Sequence, residues 1–207
     1  MDDPGRARWR RAGAALCALA FAAFLLASPG RLDTIDAQYR FEAAVGLLDR
    51  GRPDVVEPEL LDTALVAHNG AWHYALYSAP PSLGGAAAIA LVRLLPGWTP
   101  DRDGFAFVLF TPLCAAAALA MLLDTQRRLG VELGTAVGTC LITAFATLLL
   151  PLAGSAFDQA QHAVMLVGAI WAASRGAWGI AGLFAGLGFA WREVNAVWVG
   201  PLGVACW

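Results

Sequence analysis

The sequence predicts an all-α protein, a polytopic bundle of transmembrane helices with juxtamembrane amphipathic helices in its first outer loop. Two observations carry that expectation. The 207 residues are 58% hydrophobic and only 14% charged, too apolar for an ordinary soluble domain of this length. The apolar residues are also gathered into blocks with arginines at their ends.

The first block, residues 12–28, has no charged residue and follows "GRARWRR". A cationic flank of this kind stays in the cytoplasm, so the segment is expected to run from inside to outside. A cleavable signal peptide has the same charged start, but the apolar segments that follow favour a retained anchor. Residues 1–28 are therefore a cytoplasmic arm and first span. Residues 29–103 form an outer loop, and 104–207 carry further spans of a single transmembrane module.

Further apolar segments lie at 82–96, 104–123, 131–153, 158–173, 177–191 and 196–207, to be compared with the roughly 20 residues that a span needs. Segment 82–96 is short, contains Arg93 and ends in Pro96 and Gly97, and is expected to lie along the interface rather than cross. With that assignment, 104–123 runs outside to inside and delivers Arg127 and Arg128 of "TQRRLG" to the cytoplasm, as the positive-inside rule asks. The chain then returns outward over 131–153, inward over 158–173 to Arg175, and outward over 177–191. Segment 196–207 is too short to cross, which gives the expectation that the chain is the N-terminal part of something longer. The localisation that follows is a multi-pass protein of the inner (plasma) membrane with a cytoplasmic N-terminus.

Charge and cysteine usage narrow the classes of function. The net charge is −2, lysine is absent and the arginines are scattered, so no basic face is available for a row of phosphates and no nucleic-acid partner is expected. Cys17, Cys114, Cys140 and Cys206 stand apart inside apolar runs, without metal or redox spacing, and read as small core residues. Glycines in "GIAGLFAGLG" suit helix packing through small residues.

Acids gather on the expected outer face. Asp33, Asp36 and Arg40 alternate with Phe41, Val45 and Leu48 at helical spacing, which predicts an amphipathic helix whose oily face rests on the membrane and whose Asp36 and Arg40 can pair. Capping of the helix start is an alternative role for Asp33 and Asp36. Asp158 stands at the mouth of an apolar segment, where an ionised carboxylate is costly unless it meets water or a partner; it too can act as a cap. His162 follows one turn later, either extending a site or packing in the bundle.

Four stretches then resemble one family. "DTIDAQYRFEAAVGLLDRG", "HNGAWHYALYSAPPSLGGAAAIAL", "LLDTQRRLGVELGTAVGTCLITAFATLLLPLAGSAFDQ" and "RGAWGIAGLFAGLGFAWREVNAVWVGPL" are similar in order and spacing to the N-terminal module of C-type membrane glycosyltransferases, the enzymes related to protein O-mannosyltransferases and lipid A aminoarabinose transferases. The resemblance implies transfer of a sugar from a polyprenyl-phosphate donor to an acceptor on the extracytoplasmic face. It implies Asp36 and Asp158 as catalytic acids or ligands of a divalent cation, with Asp33 as a secondary candidate. Arg40, Arg192 and His162 become substrate-binding candidates, Arg192 as a phosphate clamp or as an anchor paired with Glu193. Tyr77, Pro80 and Pro81 shape the loop. Two readings from other classes stand beside the enzyme: a non-catalytic membrane scaffold or lipid-binding partner, and a small transporter, which would place ionisable groups or broken helices at mid-membrane.

Overall fold

The computed structural model describes residues 4–32, 34–56, 66–69, 72–75, 79–155 and 158–191, and these are mostly helical. Helix α1 spans Pro4–Ala27, and α2 spans Ile35–Arg50. A hairpin of β1 (Val66–Asn69) and β2 (Trp72–Ala75) pairs antiparallel with Val66 opposite Ala75. Then come α3 (Ala79–Arg93), a 3₁₀ turn at Pro100–Arg102, α4 (Asp103–Arg128), α5 (Leu133–Phe145), α6 (Leu149–Gly154), α7 (Gln159–Ala173) and α8 (Trp178–Trp191).

Two helical stretches, Gly5–Ala27 and Pro100–Arg128, are long and apolar enough to cross a membrane. The others are shorter. Helices α7 and α8 have 15 and 14 residues, so each covers only about 20 Å at 1.5 Å per residue. Helix α4 is central, packing against α1, α3 and α7, while α8 packs on α7. Leu16, Ala20 and Phe24 of α1 meet Ala115, Leu119 and Leu123 of α4, with Ala136 and Cys140 of α5 closing that core. Cys114 and Cys140 are buried and Cys17 is partly so; Cys206 lies outside the described residues.

Local chemistry explains the boundaries. Thr34 caps α2, its Oγ1 accepting from the Ala37 amide at 3.2 Å, so the helix start needs no aspartate for this purpose. Gly51 closes the same helix in the left-handed region, φ 69°, which glycine enters without a Cβ penalty. The expected single segment 131–153 is broken at 146–148. Pro151 is the cause: its ring excludes the helical position of the carbonyl four residues earlier, at Thr147, and it offers no N–H to bond there. Thr147 instead accepts from the Leu149 amide through Oγ1 at 3.1 Å.

The oily face of α2 meets protein. Phe41, Val45 and Leu48 pack on a cluster that includes Ala86 and Ile89 of α3 and Phe107 of α4, and Phe41 meets Phe107 edge-on at 5.7 Å. Gly84 and Gly85 permit this approach of α3, because a Cβ on Gly85 would stand 2.2 Å from the Phe107 ring. Pro80 and Pro81 fall in the first turn of α3, where a missing N–H costs nothing. The glycines of α8 divide: Gly188 is buried against Met165 of α7, as small-residue packing predicts, whereas Gly179, Gly182 and Gly186 have open space around them; α7 contributes Gly168, beneath the Phe184 ring.

Candidate functional site

Asp158 occupies the N-cap position of α7, yet its side chain makes no capping hydrogen bond. Its carboxylate turns to α2 instead. Arg40 Nη2 donates to Asp158 Oδ2 at 3.3 Å, and the two side chains are only 4% and 1% exposed. His162, one turn on, brings Nε2 to 3.6 Å from the same oxygen, an electrostatic contact rather than a hydrogen bond. The pair spans 118 positions of sequence and fastens the first-loop helix to the connection between α6 and α7.

Asp36 lies one turn before Arg40, on the same face of α2, and is half-buried. Burial and the Asp36 carboxylate together push the phenol of the fully buried Tyr39 up from its ordinary value. Asp33 and Arg192 are outside the described residues, as are Tyr77 and Glu193. The structure thus gathers Arg40, Asp158 and His162, with Asp36 a turn away on α2.

A polar ladder that sequence reasoning missed runs beside this cluster. Trp191 Nε1 donates to Gln161 Oε1 at 3.1 Å, and Gln161 Nε2 donates to Thr111 Oγ1 at 3.4 Å, all buried. It ties α8 and α4 to α7 within a turn of Asp158. The signal was present, since Gln161 is an amide at the start of an apolar segment, where an unpaired polar group is costly.

Two further networks brace the loop. Arg93 bonds both Asp49 and Asp103, and Trp98 Nε1 donates to Asp103 at 3.1 Å, which locks α2, α3 and the start of α4 together. The hydrogen bond from Arg93 holds the Asp49 carboxyl below its usual range despite opposing burial. Asp54 is nearly buried, and burial pushes its carboxyl up, but Arg52 and Arg50 outweigh that and hold it below the usual range.

The donor set decides whether a divalent cation fits here. Among the described residues no three His, Cys, Asp or Glu side chains come together, and the Asp158 carboxylate already faces a guanidinium. That set lacks the six or more oxygens calcium takes and the open carboxylates magnesium uses, so Asp158 and its described neighbours do not fit a divalent cation.

At the other end of the bundle, Asp124 of α4 accepts from Arg127, Arg128, Arg175 and Trp171 Nε1. The last turn of α4 and the turn between α7 and α8 therefore meet, about 20 Å along α7 from Asp158 by helix rise.

No protein-family model, no curated protein and no solved structure matches the chain.

Proposed function

We propose that this chain is a membrane glycosyltransferase module that moves a sugar from a polyprenyl-phosphate donor to an acceptor on the extracytoplasmic side. The Arg40–Asp158 pair carries the reading, because it joins the two acid-bearing outer segments that the resemblance singles out. On this reading the chain is a multi-pass protein of the inner membrane with its N-terminus in the cytoplasm. The arginine-rich end formed by Arg127, Arg128 and Arg175 agrees with that orientation.

The roles divide by exposure. Arg40 and Asp158 are too deeply buried to touch a substrate and act as positioning residues. Half-buried Asp36, set on the helix they fix, is the general base toward an acceptor hydroxyl. By the resemblance, His162 and Arg192 are the residues that bind the donor phosphate. The burial of the pair favours one second reading, a scaffold in which it only holds α2 in place.

The test is Asp36→Asn in the full-length gene product in membranes, with transfer of labelled hexose from a polyprenyl-phosphate hexose as the readout. Loss of transfer with unchanged insertion and melting supports the proposal. Wild-type transfer removes Asp36 from the site, and absence of transfer in the wild-type protein leaves the scaffold reading standing.

A further inference from the structure

At the Asp124 end a cavity of about 780 Å³ opens between α1, α4 and the turn after α7, within the size range of ligand pockets. Arg6, Arg10, Arg127, Arg128 and Arg175 line it, and Asp124 is the one carboxylate among the described lining residues. Guanidinium groups gathered this closely attract an anion. Asp124 aims three of the guanidinium groups inward, and Arg175 also stacks on Trp171 at 4.1 Å. Among the described residues Arg10 has no carboxylate partner.

A second, oily groove lies further along α1 and α4. Gly13 of α1 and Ala120 of α4 lie on the cavity wall. One turn further along the same two helices, Cys17 and Phe21 face Leu113 and Ala117 across an entirely apolar groove of about 350 Å³. From Gly13 to Phe21 the helix rises about 12 Å. An anion-binding end followed by an apolar channel matches a molecule with a phosphate head and a hydrocarbon tail. We infer that the α1–α4 furrow binds an anionic phospholipid, its phosphate among the arginines and one acyl chain along Cys17 and Phe21. This site is at the opposite end from Asp158 and does not depend on the proposed transfer reaction.

The full chain, purified in neutral detergent, is titrated with phosphatidylglycerol, phosphatidylcholine or inorganic phosphate, and melting is followed at each concentration, since a ligand that binds only the folded state raises the melting temperature. Phosphatidylglycerol is expected to stabilise the chain and phosphatidylcholine to have little effect. The double variant R6Q/R10Q removes two exposed arginines and should raise the half-saturating phosphatidylglycerol concentration about thirtyfold, from the usual contribution of a basic residue near an anionic headgroup. R8Q/R11Q removes the same charge from the same helix outside the cavity, and should shift it by less than about threefold, as exposed charges do. Equal shifts in the two double variants, no response to phosphatidylglycerol, or an equal response to phosphatidylcholine would overturn the inference. Full stabilisation by inorganic phosphate alone would also overturn it, in favour of a soluble anion.

Discussion

Removing either member of the Arg40–Asp158 pair should destabilise the fold far more than removing both. The charged atoms are 3.3 Å apart with 4% and 1% of their side chains exposed, and at an effective dielectric of about 20 this separation corresponds to about 5 kcal/mol of attraction. Much of that offsets desolvation, so the pair itself is worth little against an apolar replacement, whereas an orphaned buried charge costs about 3–5 kcal/mol. R40M removes the guanidinium from Asp158, and D158L removes that carboxylate from Arg40. Each should lower the melting temperature by about 6–12 °C for a chain of this size. The double variant R40M/D158L should recover most of that loss, with a coupling energy of at least about 2 kcal/mol. The assay is thermal and denaturant unfolding in one detergent, followed by tryptophan fluorescence. Additive effects, or an R40M variant within about 0.5 kcal/mol of wild type, the range of an ordinary surface change, would refute the claim that this pair is buried and holds α2 to α7.

Glycines sort by the space around them. Gly85→Val should cost about 1–3 kcal/mol through collision with Phe107, whereas Gly138→Ala, open to 4 Å in mid-helix, should gain about 0.5–1 kcal/mol; melting curves compare them. Asp54 gives a pH dependence with a definite sign. Its carboxyl titrates below the ordinary 3.8 in the folded chain, so its stabilisation is complete above that value and is lost as pH falls through the folded one. Asp54→Asn should therefore melt lower than wild type at pH 7 and lose less on acidification from pH 5 to 3. For orientation, cysteines placed at exposed Leu129 and Asp101 should differ toward an impermeant maleimide in intact cells, Asp101→Cys reacting and Leu129→Cys protected. Equal labelling would end the proposed topology.

The local features were legible and the long-range ones were not. The apolar block of α1, the 3.6-residue pattern of α2 and the arginines at the end of α4 are properties of neighbouring residues, and each appears where its pattern placed it. The pattern of Phe41, Val45 and Leu48 shows that a face is oily but not what covers it, and here α3 covers it because Gly84 and Gly85 let that helix approach. Spacing offered Asp36 as a partner for Arg40, four residues apart. The bond to Asp158 across 118 positions depends on how α2 and α7 pack, which no periodicity encodes. Thr34 stands between two aspartates, which rank above threonine as caps, yet its hydroxyl makes the capping bond by the same chemistry. Pro151 signals the break before it, but the continuous apolarity of 131–153 masks that signal.

The two polar layers also fix how such a bundle would sit in a bilayer, on the membrane reading proposed above. Asp158 begins α7, and Trp171 near its end donates to Asp124, so the layers stand about 20 Å apart along the helix. A hydrocarbon core is about 30 Å thick. Both layers cannot then lie in the headgroup regions unless the membrane thins, and their exposure decides which one is sunk. Asp124 is 21% exposed and its arginines 33–38%, which suits long side chains reaching water. The Arg40–Asp158 pair is closed to solvent. The deep layer is therefore the Asp158 end, where α2, α3 and the Gln161 ladder surround the charges with protein. This arrangement explains why those charges come as a matched, hydrogen-bonded pair while the Asp124 end tolerates an excess of arginine.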